Sequence, residues 1–203
     1  MPSDNRDTIA TYDAIAARYL ARGRDEPFEG PWLRSFAEAV PNGARVLDLG
    51  SGPGRDSSLL RELGLDPICV DFSIGMLRAG VSEYPNPRVQ ADMLRIPIRT
   101  TSVAGVWANA SLLHLEAESL PEALSEISRV LVPSGTFYLS LKEGKGSRWE
   151  SEVFDSPRWF QYWTATDLDR VLSTAGFRVK NAARAETSRD RWLIRECVAA
   201  SPI

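Results

Sequence analysis

The sequence lacks several features that mark common classes of protein. Its 203 residues contain two cysteines and one histidine, too few for a disulfide framework or a His/Cys metal cluster. No apolar run approaches the roughly 20 residues of a membrane-spanning helix, and the polar N-terminus has no hydrophobic segment of the signal-peptide kind. We therefore expect a cytoplasmic protein with reduced cysteines, no bound metal and no membrane contact.

An excess of positive charge is also missing. The formal net charge is −3 and the pI is about 5.3. These values argue against a protein whose main function is to bind the nucleic-acid backbone. Hydrophobic residues make up 43% and charged residues 25%, close to the averages of globular proteins, so a wholly disordered chain is excluded. The length suits a single domain over residues 1–203, and the sequence alone does not indicate an oligomeric state.

The sequence alternates strand-like and helix-like segments. Hydrophobic spacing predicts helices over 8–22, 31–40, 55–63, 73–79, 120–131 and 164–175, and strands over 44–49, 66–71, 88–91, 102–108, 136–141, 177–180 and 191–198. This alternation indicates an α/β fold with a doubly wound, mostly parallel sheet. The last two strands have no helix between them, so they must form an antiparallel hairpin. Ligands of such sheets bind at the carboxyl ends of the strands.

The segment VLDLGSGPGRD (46–56) is the most informative stretch. A buried strand runs into glycines at positions 50, 52 and 54, and a helix follows. Glycine lets the backbone turn sharply and approach a ligand closely, so we interpret the loop as part of a ligand site rather than a bare turn. The loop lacks the Gly-Lys-Ser/Thr of a P-loop, and its spacing differs from the G-x-G-x-x-G of dinucleotide sites. A nicotinamide oxidoreductase is therefore disfavoured.

Carboxylates follow the next two strands. Asp71 lies about 20 residues after the first glycine, the spacing of a residue that accepts hydrogen bonds from ribose hydroxyls; a helix-capping role is the alternative. Asp92 can accept from an exocyclic amino group while the backbone N–H of Met93 donates to a ring nitrogen, a pair that recognises adenine. Phe72, Met76 and Met93 can sandwich the ring, although core packing equally explains the methionines.

Taken in order, these motifs resemble the class I S-adenosylmethionine-dependent methyltransferases, and in particular small bacterial members of methyltransferase types 11 and 25. VLDLGSGPGRD is similar to the first motif of the family, VDFSIGML (70–77) to its acidic second-strand motif, and ADMLRIP (91–97) to its adenine motif. VWANASLLHL (106–115), EISRVLVPSGTFYLSLKEG (126–144) and WTATDLDRVLSTAGF (163–177) resemble later segments of the family. The resemblance covers nearly the whole chain.

This resemblance implies a Rossmann-like sheet of seven strands, with the last hairpin inserted antiparallel. It implies S-adenosylmethionine as cofactor, S-adenosylhomocysteine as product, and a backbone segment near Asn109 that holds the methionine amine. The implied cofactor-binding residues are Asp48, Gly50, Ser51, Gly52, Asp71, Phe72, Met76, Asp92, Met93, Asn109 and Tyr19. The chain then divides into a helical cap (1–40), a cofactor-binding core (44–143), an aromatic-rich lid (144–163) and a C-terminal helix and hairpin (164–203).

Four more residues are candidates for a role in the site. His114, just beyond the fourth strand, can act as a general base on an acceptor hydroxyl or amine; a structural histidine among leucines is the alternative. Tyr12 and Tyr19 share one face of the first helix, which can close over the cofactor and shape the acceptor pocket, unless that face only packs on the core. Arg24, in the polar stretch 23–29, is a candidate partner for the cofactor carboxylate.

The segment 144–163 combines glycines with a cluster of aromatic residues. The glycines predict a mobile loop at the carboxyl edge of the sheet, and the aromatics suit an apolar or aromatic acceptor. We expect acceptor contacts from Trp149, Trp159 and Tyr162. A lid packed on its own body is one alternative, and stacking on RNA bases is another.

The predicted function is methyl transfer by in-line displacement to a small-molecule acceptor whose reacting atom (O, N, C or S) is open. A methyltransferase acting on RNA or protein is an alternative. A non-catalytic adenosylmethionine-binding protein is another.

Overall fold

The computed structural model describes residues 3–25 and 30–199, and the side chains of residues 3–5, 24 and 25 fall outside that description. Within it lie the helices α1 (Ser3–Asp25), α2 (Pro31–Glu38), α3 (Arg55–Glu62), α4 (Ile74–Ala79), α5 (Leu120–Val130) and α6 (Ala165–Thr174). The strands are β1 (Arg45–Leu49), β2 (Asp66–Asp71), β3 (Arg88–Gln90), β4 (Val103–Asn109), β5 (Leu131–Lys142), β6 (Ser147–Glu150), β7 (Arg158–Gln161), β8 (Phe177–Glu186) and β9 (Arg191–Ala199).

Seven strands form one sheet in the order β3-β2-β1-β4-β5-β9-β8. The pairs among β1 to β5 are parallel, and β9 runs antiparallel to both of its neighbours. The predicted Rossmann-like sheet, mostly parallel with an antiparallel C-terminal hairpin, is confirmed. The chain order reverses between β1 and β4, which places the ligand-binding crevice at the carboxyl ends of these central strands.

Side-chain alternation along the strands builds a core on each face of the sheet. On β5, Phe137 and Leu139 pack on the side covered by α5 and α6, whereas Tyr138 packs on the side of α2 and α3. Tyr138 stacks on the buried Trp107 of β4 with ring centroids 3.7 Å apart. Two faces covered by helices leave only the strand ends open to a ligand.

The structure departs from the predicted segments at three places. Helix α5 ends at Val130, and β5 begins at once; the pairing with β4 then skips residues 132–135, so this stretch bulges rather than forming a free turn. Strand β8 continues to Glu186, paired along its length with β9. The predicted mobile loop after β5 instead contains β6 and β7, a separate antiparallel pair.

Helix α1 lies against both α4 and β7. Asp13 Oδ1 accepts hydrogen bonds from Ser73 Oγ (2.6 Å) and Gly75 N (2.7 Å), which ties α1 to the start of α4. Thr8 Oγ1 accepts from the backbone N–H of Trp159 (2.9 Å), which ties it to β7. These bonds fix α1 above the carboxyl ends of the central strands.

The described helices include none that is long and apolar enough to cross a membrane. Both cysteines are free and buried. Cys69 lies on β2 and Cys197 on β9, with three strands between them in the sheet.

Candidate cofactor and acceptor site

A cavity of about 620 Å³ lies between α1 and the carboxyl ends of β1 to β4, within the size range of roughly 300–1,000 Å³ typical of small-molecule sites. Thirteen of the residues predicted from the sequence line this cavity, although they come from widely separated segments of the chain. They are Tyr12, Tyr19, Asp48, Gly50, Ser51, Gly52, Asp71, Phe72, Met76, Asp92, Met93, Asn109 and His114. The side chain of Arg24 and residues 26–29 lie outside the described part of the chain.

The glycines of the loop after β1 serve different purposes. Gly50 has φ +74°, and a Cβ there would lie 2.2 Å from Ser111 Cβ, so this position must be glycine for the fold to close. Gly52 has φ +55°, and a Cβ there would meet only Tyr19, at 3.9 Å. Gly52 therefore keeps open a part of the cavity beneath the Tyr19 ring, where a ligand can approach the backbone.

Asp71 is held in place by the same loop. Its Oδ2 accepts from Gly52 N (2.8 Å), and its Oδ1 accepts from Ser73 N (2.8 Å). Burial raises the pKa of Asp71, and these two backbone hydrogen bonds oppose that effect. Each carboxylate oxygen can accept a further hydrogen bond. The arrangement suits a ligand that presents hydroxyl donors, such as a ribose.

Two more carboxylates lie beneath the loop. Asp48 Oδ2 accepts from Ser57 Oγ (2.7 Å), and burial together with the nearby charge of Asp56 raises its pKa well above the usual value. Asp56 Oδ2 accepts from Trp107 Nε1 (2.9 Å) and Asn109 Nδ2 (3.1 Å). Asp56 was not among the predicted site residues, because a carboxylate in the first turn of a helix is common. This acidic floor favours the positively charged end of a ligand.

The predicted adenine-binding residues form another part of the cavity wall. Asp92 Oδ1 accepts from Leu94 N (3.0 Å), which fixes the carboxylate at the end of β3. Phe72 and Met93 line the same region. Met76 is buried against Ile15 of α1, so it packs in the core as well as lining the cavity.

His114 and Tyr12 form a hydrogen-bonded pair in the cavity. The Tyr12 hydroxyl lies 2.9 Å from His114 Nε2, and His114 Nδ1 lies 2.7 Å from the Trp159 carbonyl oxygen. Because a carbonyl oxygen can only accept, Nδ1 carries the proton of the neutral ring and Nε2 accepts from Tyr12. Burial lowers the pKa of His114 to about 4, aided by the positive charges of Arg158 and Lys142. The imidazole is therefore neutral at neutral pH.

The structure does not bring the predicted acceptor contacts of residues 144–163 into the cavity. Trp149 is 39% exposed on β6, with its ring edge-on to Trp159 at 5.8 Å. Tyr162 is buried, donates a hydrogen bond to Glu150 and borders a separate, smaller cleft. The segment contributes Phe154 and Arg158 to the cavity instead.

A buried ion cluster lies between β5 and β6. Lys142 Nζ lies 2.6 Å from Glu150 Oε2 and 3.0 Å from Asp190 Oδ1, and Arg148 Nε lies 3.1 Å from Glu150 Oε1. These opposite charges neutralise one another in place, so the cluster braces the β6–β7 sheet above the cavity.

Known proteins are similar to this chain in both sequence and fold. Residues 47–139 match the methyltransferase domain family. The chain is 31% identical over 141 residues to a demethylmenaquinone methyltransferase of Corynebacterium urealyticum, covering 66% of this chain and 59% of that protein. These matches support a class I S-adenosylmethionine-dependent methyltransferase. The cofactor of that family is S-adenosylmethionine.

Other known proteins match this chain over more of its length. It is 28% identical over 198 residues to the biotin biosynthesis bifunctional protein BioHC of Cellvibrio japonicus, which covers 92% of this chain but only 38% of that protein. The fold is similar to that of the 1,6-didemethyltoxoflavin-N1-methyltransferase of Burkholderia thailandensis, crystallised with 1,6-didemethyltoxoflavin and S-adenosylhomocysteine. That likeness has a TM-score of 0.72 at 20% identity and covers 99% of this chain and 92% of that one.

The residues of the cavity fit the cofactor of this family. The space that Gly52 leaves open, the fixed carboxylate of Asp71 and the pair Asp92–Met93 match the chemistry of a methionine chain, a ribose and an adenine. The hydroxyl of Ser111, a buried cavity residue, has no hydrogen-bond partner within the described structure. It is a polar group that a ligand can satisfy.

Proposed function

We propose that this protein transfers a methyl group from S-adenosylmethionine to a small-molecule acceptor held in the cavity beneath α1. Curated relatives include demethylmenaquinone methyltransferases and a biotin biosynthesis protein, which supports an acceptor of low molecular weight. The chain spans less than two thirds of those proteins. The free, buried cysteines are consistent with a reducing, cytoplasmic location.

The observation that carries this proposal is the fixed carboxylate of Asp71 beside the open backbone of Gly52. The N–H of Gly52 and the carboxylate of Asp71 are hydrogen-bonded at 2.8 Å, so the loop and the strand end form one preorganised surface. A site whose polar groups are already oriented loses little entropy when the ligand binds.

The residues of the chain act by positioning the reactants. When bound, S-adenosylmethionine supplies an activated methyl group on a positively charged sulfur. The acidic floor formed by Asp48 and Asp56 holds the cationic part of the ligand, and α1 with Phe154 excludes water from above. Holding two reactants in a productive orientation supplies much of the rate enhancement in reactions of this type.

His114 enters this proposal through Tyr12. The neutral imidazole accepts a hydrogen bond from the Tyr12 hydroxyl, so a lone pair of the Tyr12 oxygen remains available to an acceptor. For an acceptor that must lose a proton, Tyr12 would take it up and pass its own to Nε2 of His114. Since the pKa of His114 is about 4, that relay is costly at neutral pH. We propose that His114 chiefly orients Tyr12 and that the acceptor arrives already deprotonated.

The cofactor part of the proposal is tested by thermal unfolding with S-adenosylmethionine, S-adenosylhomocysteine and NAD. A ligand at 100 times its Kd stabilises by about 2.7 kcal/mol, roughly 5–10 °C in a domain of this size. We expect that shift with both sulfur ligands and none with NAD. Asp71→Asn should abolish most of it.

Asp66→Asn is the matched control, because Asp66 starts the same strand and pairs with the exposed Arg45 at the opposite edge of the sheet. It should keep the full shift. An equal shift in both variants would contradict the site, and a shift with NAD alone would contradict the cofactor. Salt-dependent binding of RNA by the wild-type protein would instead favour an RNA acceptor.

A further inference from the structure

Three cationic side chains in the described structure are almost fully buried. Lys142, Arg158 and Arg195 are 5%, 6% and 3% exposed. Lys142 is neutralised by Glu150 and Asp190, and Arg195 Nε lies 2.6 Å from Asp169 Oδ1. Arg158 is the one of these three side chains that no carboxylate of the described residues neutralises.

Arg158 has no anionic partner among the described residues. None of their carboxylates lies within ion-pair distance of its guanidinium, and its buried Nε has no hydrogen-bond partner. Arginine stays charged at any accessible pH, and an unpaired buried charge is costly. Its contacts in the described structure are with aromatic rings and the Tyr12 hydroxyl.

Aromatic rings surround the guanidinium. Its Cζ lies 5.4 Å from the ring centroids of Phe154 and Phe160 and 5.8 Å from that of Tyr12. These contacts orient the cation through the faces of the rings, but they supply no negative charge. The buried Nε–H is left without a partner, and the guanidinium carries planar N–H donors of the kind that bind carboxylates.

Arg158 lines the same cavity as the acidic floor. The carboxylates of Asp48 and Asp71 lie at strand ends and that of Asp56 lies in the first turn of α3, whereas Arg158 lies at the start of β7, next to the Tyr12–His114 pair. The cavity thus has a negative side that suits the cofactor and a positive group beside the residues proposed for the acceptor.

We propose that Arg158 binds an ionised carboxylate of the methyl acceptor, so that the substrate class is small carboxylic acids with an apolar body. The apolar lining of Ile9, Leu20, Leu115, Val153 and Phe154 provides room for that body. This inference rests on the proposed function. An ionised acid also needs no general base, in agreement with the neutral His114.

The first measurement is the stability of the ligand-free protein. Arg158→Met removes an unpaired charge and keeps most of the side-chain volume, so the melting temperature should stay the same or rise. Arg195→Met is the matched control, since it breaks a pair and should lower the melting temperature by several degrees. An equal fall in both variants would mean that Arg158 has a structural role.

The second measurement is binding to the complex with S-adenosylhomocysteine, followed by tryptophan fluorescence. The probes are matched pairs of an acid and its neutral amide: benzoate with benzamide, and hexanoate with hexanamide. We expect the wild-type protein to prefer the acid in at least one pair by roughly 10- to 100-fold. Arg158→Met should lose that preference, and Arg158→Lys should retain part of it. No preference in the wild-type protein would overturn the proposal.

The cofactor itself carries a carboxylate, so a third measurement separates the two sources. S-adenosylhomocysteine has this carboxylate and 5′-methylthioadenosine lacks it. If Arg158 serves the acceptor, Arg158→Met changes neither affinity by more than about twofold in calorimetry. A tenfold loss for S-adenosylhomocysteine alone would assign Arg158 to the cofactor and overturn the proposal.

These results also separate this inference from the proposed function. If the wild-type protein does not bind S-adenosylhomocysteine, the proposed function fails. If it binds S-adenosylhomocysteine normally but does not distinguish acids from amides, only the inference about Arg158 fails.

Discussion

The floor of the cavity, which carries Asp48, Asp56 and Asp71, differs from its lid in the partners of its charged groups. On the floor, Asp71 and Asp56 each accept two hydrogen bonds from nearby groups of the protein. In the lid, formed by β6, β7 and the residues between them, Arg158 has no anionic partner among the described residues. The floor has these hydrogen bonds before a ligand arrives, whereas the charge of Arg158 in the lid is balanced only with an anion bound. In our proposal this contrast separates a cofactor surface from an acceptor surface.

The largest effect is expected at the buried ion cluster that joins β5 to the lid. Lys142→Met should lower the free energy of unfolding by about 3 kcal/mol or more, because it leaves Glu150 and Asp190 without their buried cation. Urea unfolding measures this loss. Arg184→Met breaks an exposed pair with Glu143 and should cost less than about 1 kcal/mol. Similar losses in the two variants would remove the distinction between a buried and an exposed ion pair.

The floor can be divided by comparing two glycine substitutions. Gly50→Ala should destabilise by about 2 kcal/mol or more, since it combines a left-handed backbone with a clash against Ser111. Gly52→Ala should cost only about 1 kcal/mol in stability, because its Cβ has room in the ligand-free protein. Gly52→Ala should instead weaken S-adenosylhomocysteine binding strongly in calorimetry. Unchanged affinity would show that the ligand does not approach this backbone.

Where the floor meets the lid, His114 should make stability depend on pH. Its pKa falls from 6.5 to about 4 on folding, so between these values the unfolded chain binds the extra proton and stability rises with pH. The contribution lost between pH 7.5 and pH 5 is about 2 kcal/mol. His114→Gln should lack this component in urea unfolding. Parallel pH profiles of wild type and variant would contradict the buried, neutral imidazole.

The chain has a single histidine, which allows a direct check. Its ring ¹⁵N and proton signals in NMR are unambiguous. They should report a neutral ring protonated at Nδ1 at pH 6, where an ordinary imidazole would be mostly charged.

The floor was predictable from the sequence because its signals are local. Gly50, Gly52 and Asp71 each stand at a strand end or in the loop that follows it, and strand ends of a parallel sheet meet at one edge. The parallel sheet itself followed from the alternation of segments. Asp56 was missed since its partners, Trp107 and Asn109, are about 50 residues away.

The lid was not predictable in the same way. Strands β6 and β7 have four residues each, too short for a periodic pattern to be recognised. The burial of Arg158 depends on Tyr12 of α1, far away in the sequence. The aromatic residues of the lid therefore led to predicted acceptor contacts from Trp149, Trp159 and Tyr162. In the structure, Phe154 and Arg158 line the cavity instead.

The most direct test of a two-sided cavity is a crystal structure of the complex with S-adenosylhomocysteine. It should place the ribose hydroxyls on Asp71 and the adenine against Asp92 and Met93, with the amino-acid part over the floor and clear of Arg158. A ribose away from Asp71, or a cofactor carboxylate bound to Arg158, would contradict the assignment of the floor to the cofactor and of the lid to the acceptor.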